Sequence, residues 1–327
     1  MLRLMISART YSSRLFSLQR QGRIGTMAPI DGNEAVCAGA TFALDPAIDW
    51  VFPQYREGVA LGHFGDEVID GHVLYQFGHP QGARYPESVR VFPIQISLAA
   101  QLPHAVGMAW GNQIQGVGGC SLVFFGDGSS SEGDFYEAGN LAGVVKAPVI
   151  FLLVNNQWAI STPASIQSAA ATFAEKADAF GFPGLRVDGR DPVAVWEAVS
   201  AARARAVAGE GPTLIEAVTY RLGPHTTADD PTRYVPADEL AEARANDPLV
   251  TYRARLTELG LWDDERQAEA ESAARARMDL AVERAEAALA ELAPDAFFDH
   301  VFAEPTPRQL RQRAALRAFL AEEGRGD

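Results

Sequence analysis

The apolar positions of the chain follow two rhythms. Near the N-terminus Leu4, Met5, Ala8, Tyr11, Leu15 and Leu18 recur close to helical spacing, and the pattern stops at Gln21-Gly22, which predicts an amphipathic helix. From Trp50 onward the text changes to short apolar runs punctuated by Gly and Pro. Residues 121–125 and 149–154 read as strands buried on both faces, with a helical stretch over 135–146 between them. That is a βαβ unit. Residues 185–187, the Ala-rich 193–208 and 213–219 repeat the strand, helix, strand order, so the spacing predicts a doubly wound parallel α/β sheet with its ligand at the carboxyl ends of the strands. Residues 222–236 have no apolar periodicity and many turn formers, the signature of an exposed loop. Over 264–292 Met278, Val282, Ala285, Leu289 and Leu292 share one stripe of a long amphipathic helix. The expected organisation is an N-terminal helical segment (1–49), an α/β ligand-binding domain (50–236) and a C-terminal helical region (237–327) that packs on the domain and on partner subunits.

Composition narrows the chemistry. The chain has 327 residues with Lys+Arg 28 against Asp+Glu 42, a formal charge of −14. Such a field repels phosphate backbones and anionic lipid, so neither nucleic acid nor a membrane is an expected partner. No apolar run approaches the roughly 18 residues of a membrane span. Any anionic ligand must be met by local Arg or by backbone dipoles. Cys37 and Cys120 are the only cysteines, without zinc spacing, which with no signal-peptide pattern points to a reducing, cytoplasmic setting. Arg3, Arg9, Arg14, Arg20 and Arg23, with no acidic residue before Asp31, match the composition of a transit peptide, but the helical periodicity favours a mature helix.

Two glycine clusters invite a phosphate-binding reading. Gly116-Val117-Gly118-Gly119 precedes a strand, whereas a dinucleotide fingerprint must follow one and open a helix, so it is set aside. Gly126, Gly128 and Gly133 follow residues 121–125 and lead into a helix, where backbone can approach a phosphate and free N–H groups point at it. The turn lacks the Lys of a P-loop and carries Asp127 instead. An acidic residue inside an anion-binding turn makes sense when a cation lies between the carboxylate and the phosphate, so Asp127 reads as a Mg²⁺ ligand. The neighbouring strand ends in Asn155-Asn156-Gln157-Trp158, and Asn oxygens are hard donors suited to the same ion.

The stretch GDGSSSEGDFYEAGNLAGVVKAPVIFLLVNNQWAIST, bracketed by Asp127 and Asn156, resembles the thiamine diphosphate motif of the alpha subunits of 2-oxoacid dehydrogenases. RQGRIGTMAPIDGNEA (20–35), FPQYRE (52–57), QLPHAVG (101–107) and YRLGPHTTADDPTRY (220–234) are similar to other blocks of that family. The resemblance implies the thiamine diphosphate-binding type of α/β fold. It implies Mg²⁺ held by the side chains of Asp127 and Asn156 and the main-chain carbonyl of Trp158, with Gly126, Gly128 and Ser129 in the diphosphate turn. Tyr55 and Arg56 match residues that hold the diphosphate, Ile96 and Leu98 match the wall along the middle of the cofactor, and His225 matches the active-site histidine. The implied activity is oxidative decarboxylation of pyruvate or a branched-chain 2-oxo acid, with acyl transfer to lipoyl groups of a dihydrolipoyl acyltransferase core. The Glu that faces the pyrimidine ring is implied to come from a separate beta subunit, in a heterotetramer of two alpha and two beta chains. An acetoin dehydrogenase alpha subunit and a non-catalytic scaffold are the rival readings. Val235 stands where the family commonly has Arg, Val154 where some relatives have Arg, and the segment around His79 matches loosely. The loop over 222–236 is expected to be mobile without cofactor.

Overall fold

The computed structural model describes residues 1–299 and 301–323. The chain opens with α1 (Leu2–Arg20) and α2 (Glu34–Phe42), then the short strand β1 (Trp50–Phe52), α3 (Asp66–Gln76) and α4 (Gln101–Ile114). The central repeat is β2 (Ser121–Gly126), α5 (Gly133–Val145) and β3 (Val149–Asn155), followed by a small hairpin, β4 (Trp158–Ala159) and β5 (Thr162–Pro163). A second repeat runs β6 (Gly184–Asp188), α6 (Pro192–Val207) and β7 (Thr213–Val218). Helices α7 (Ala237–Ala245), α8 (Pro248–Glu258), α9 (Asp264–Ala290) and α10 (Pro307–Glu322) complete the described chain.

The main sheet has five strands in the order β1-β2-β3-β7-β6, all parallel. Alternation along its strands sends side chains to two cores. Leu122, Phe124, Ile150, Leu152 and Val154 join the cluster that includes α1, α2, α6 and α9, while Val123, Phe125, Phe151 and Leu153 join the one covered by α4 and α5. Burial on both faces explains why these strands read as unbroken apolar runs.

The expected α/β architecture is therefore observed, with element ends shifted by a residue or two from the reading above. β1 was not expected from its three residues, because Pro53 follows at once and no alternation develops. In α4, Pro103 lies in the first turn, where its missing N–H costs no helical bond. The N-terminal helix buries Met5, Ala8, Tyr11, Leu15 and Leu18 as its periodicity required. The stripe of α9 is shorter than expected: Met278, Val282 and Ala285 are buried, but Leu289 is 39% exposed. No helix among the described residues is long and apolar enough to cross a membrane.

Candidate active site

Parallel pairing sets Gly126 beside Val154, so the residues that leave β2 and β3 emerge next to each other. Asp127 starts the 3-10 turn Gly128–Ser131 and is buried, and Asn156 follows β3 by one residue. The two Asn residues divide their work. Asn155 donates from Nδ2 to Glu216 Oε1 at 2.7 Å and serves the core, whereas Asn156 lines the cleft and accepts from Trp158 N through Oδ1 at 3.3 Å. Gln157 and Ile160 have φ of 73° and 56°, left-handed positions that turn the chain sharply into the β4–β5 hairpin. That hairpin presents the Trp158 carbonyl, while the Trp158 indole N–H donates to the Tyr220 hydroxyl at 3.0 Å. A Cβ at Gly128 would lie 2.8 Å from Ala159 Cβ, so only glycine lets the hairpin close on this turn.

The opposite wall follows β1. Gln54 accepts from Gly126 N at 3.2 Å through Oε1, and Glu57 accepts from Gln54 N at 3.1 Å, so the segment carrying Tyr55 and Arg56 is tied directly to the Asp127 turn. Arg56 is 5% exposed, donates to Pro29 O and to His225 O (3.1 Å), and forms no ion pair among the described residues. Its Nη2 also lies 3.3 Å from His225 Nδ1, and the Tyr55 ring meets the imidazole edge-on.

The loop over 222–236 is less exposed than its composition suggests. Thr227 is buried and donates its N–H to Met27 O at 2.9 Å. Asp229 Oδ2 accepts from His225 N at 2.7 Å and from the Tyr234 hydroxyl at 2.6 Å. Arg221 donates to that same hydroxyl at 2.7 Å and to Trp158 O at 2.9 Å, joining the loop to the hairpin. Ionic hydrogen bonds thus hold the loop in this conformation where its composition offers little apolar burial. Val235 also leaves Tyr234 fully engaged, so the missing Arg does not undo the loop.

Together these walls enclose a cavity of about 530 Å³, within the usual range for small-molecule sites. Asp127, Asn156 and Trp158 lie in its lining with Tyr55, Arg56 and His225. Gly126, Gly128 and Ser129 form the turn beneath, and Ile96 and Leu98 line it while remaining 60% and 40% exposed. Every candidate site residue named from the sequence meets at this one cleft. Arg221, Gln54 and Gln167 were missed. Arg221 lay in plain view inside YRLGPH, but Gln54 and Gln167 carry no local signal.

Charge in the cleft is unbalanced in an informative way. Burial pushes the Asp127 carboxyl up, against a pull downward from the Gln167 amide, and no Arg or Lys forms an ion pair with it among the described residues. A buried carboxylate without a cationic partner among the described residues, beside an amide oxygen and the Trp158 carbonyl that accepts from Arg221, is a hard, all-oxygen donor set. His225 is held down to about 4, first by burial and then by Arg56 and Arg221, so its imidazole is neutral near pH 7.

The fold and this cleft define an α/β protein with a small-molecule-sized cavity at the carboxyl ends of its strands. The chain belongs to the dehydrogenase E1 component family, whose model matches residues 2–293. It is 44% identical over 283 residues to the pyruvate dehydrogenase E1 component subunit alpha of Staphylococcus aureus strain Mu50, covering 86% of this chain and 76% of that protein. The same identity and coverage hold for the subunit of that name from Staphylococcus epidermidis strain ATCC 12228. The chain is thus an alpha subunit of the 2-oxoacid dehydrogenase E1 class, as the motif resemblance implied.

Proposed function

We propose that this chain forms the alpha half of a cytoplasmic pyruvate dehydrogenase-type enzyme that works with thiamine diphosphate and Mg²⁺. The observation that carries the reading is the convergence of Asp127, Asn156 and the Trp158 carbonyl with Tyr55, Arg56 and His225 in one cleft. Asp127, Asn156 and the Trp158 carbonyl would hold Mg²⁺, an ion that favours oxygen donors. Tyr55, Arg56 and the Gly126, Gly128 and Ser129 turn would hold the diphosphate, with Arg56 and Arg221 supplying local positive charge in an acidic chain. Ile96 and Leu98 would support the middle of the cofactor. Thiamine diphosphate, when bound, supplies the electron sink for loss of CO₂ from a 2-oxo acid.

The neutral His225 can accept a proton at its ring during acyl transfer, and the Asp229 bond to its backbone N–H fixes where that ring stands. Arg56 keeps the same ring from charging prematurely. A beta subunit would complete the site in a heterotetramer of two alpha and two beta chains, and the acyl group would pass to a dihydrolipoyl acyltransferase core. Pyruvate is favoured over branched-chain 2-oxo acids and acetoin by the names of the relatives. The test is release of CO₂ by the chain purified with its beta partner, across pyruvate, branched-chain 2-oxo acids and acetoin. We expect release from pyruvate that needs both thiamine diphosphate and Mg²⁺; preference for another substrate overturns the substrate, and no release from any of them overturns the activity.

A further inference from the structure

Among the described residues, Gln167 is the one side chain that donates to the Asp127 carboxylate. Its Nε2 donates to Asp127 Oδ2 at 2.6 Å and to Thr162 O at 3.2 Å, so both amide hydrogens are used and the amide plane is fixed. Gln167 N donates to Ala164 O at 3.2 Å, which closes a short turn at the end of the β4–β5 hairpin. Its Oε1 lies 3.7 Å from where a Cβ at Gly128 would stand, so the amide rests against the Asp127-Gly128 turn on the side the hairpin covers. Among the described residues, Asp127 Oδ1 receives no side-chain donor.

We infer that Gln167 is a positioning residue for the cation site: it holds Oδ2 of Asp127 and thereby turns Oδ1 toward the ion shared with Asn156 and the Trp158 carbonyl. The inference rests on the metal-site reading above. The hairpin then delivers two elements of that site from one short stretch, a carbonyl ligand at Trp158 and an orienting amide at Gln167. A neutral donor suits the position. A Lys or Arg in its place would cancel the carboxylate charge that the cation needs, and a carboxylate would repel it. Residues that orient metal ligands commonly change affinity by tenfold or more when removed, although they never touch the ion.

Binding of Mn²⁺ to the full-length chain in the presence of inorganic diphosphate, followed by electron paramagnetic resonance, tests this with no need for turnover. Gln167→Ala should weaken Mn²⁺ binding about tenfold and broaden the bound spectrum as the ligand set loosens. Gln167→Glu, nearly isosteric but unable to donate, should weaken it further, while Asp127→Asn abolishes tight binding. Thermal melting of Gln167→Ala should stay close to the wild type, because the side chain is partly exposed and outside the core, whereas Gln167→Glu should melt lower because it sets a second carboxylate against buried Asp127. If the wild-type chain binds Mn²⁺ and Asp127→Asn does not, but Gln167→Ala binds with wild-type affinity and spectrum, the positioning role is wrong and the metal site stands. Equal or tighter binding by Gln167→Glu would likewise overturn it, since residue 167 would then be acting as a ligand. Failure of the wild-type chain to bind overturns the metal-site reading and this inference together.

Discussion

The floor and the lid of the cleft are built from different forces. The floor consists of residues that leave β2 and β3, held by a parallel ladder whose strands are buried on both faces. The lid is the loop over 222–236, held by Asp229, Tyr234, Arg221 and the bond from Thr227 to Met27 O. Apolar burial under the floor amounts to many contacts that cannot be removed one at a time without a cavity. Each lid bond is a separate polar contact, of roughly 1 kcal/mol net and more where a charge takes part. A site divided in this way can bind its anchor rigidly and still adjust the group that acts on the reacting end.

Breaking the floor should have the largest effect. Phe124 is fully buried between the sheet and its helical cover, and Phe124→Ala should cost about 3–5 kcal/mol of stability in urea melts. Acidification comes next. His72 is buried against the turn that carries Arg56, its Nδ1 has no partner among the described residues, and burial lowers it to about 4. The native state therefore binds fewer protons than the unfolded chain, whose His titrates near 6.5. Stability should be intact above about pH 6.5 and fall as pH drops toward 4, by about 3 kcal/mol from this one group. His225 shifts the same way from the lid but is less buried, so His72→Gln should flatten the pH dependence of melting more than His225→Gln.

Smaller effects separate binding from the lid. Asp127→Asn keeps the size and removes the charge, so thiamine diphosphate with Mg²⁺ should bind at least tenfold more weakly by calorimetry, or about 1.4 kcal/mol. The unliganded protein should be no less stable, because a buried carboxylate has been neutralised. Tyr234→Phe removes one donor to Asp229 and one acceptor for Arg221 at a cost of about 1 kcal/mol. It should quicken proteolysis of the loop and leave cofactor affinity within about threefold, since that is less than 1 kcal/mol.

The same division explains what the sequence made legible. Asp127 and Asn156 could be read because each sits one residue past a strand whose apolar run is unmistakable, and parallel pairing brings such ends together. Gln54 reaches Gly126 across 72 positions and Gln167 reaches Asp127 across 40, so nothing local marks either one. The lid was legible as a loop, but the hydrogen bonds among Asp229, Tyr234 and Arg221 that hold it leave no periodic apolar signal. Arg9 pairs with both Glu34 and Asp247, the latter 238 positions away, a contact that no local pattern announces.

Acyl transfer to a lipoyl domain, measured at saturating thiamine diphosphate and Mg²⁺ in the alpha–beta assembly, tests the division of labour most directly. His225→Ala should lower the transfer rate by at least tenfold, about 1.4 kcal/mol, while cofactor affinity stays within about threefold of the wild type. A wild-type transfer rate, or a loss of cofactor affinity as large as the loss of rate, would contradict a lid that acts and a floor that binds.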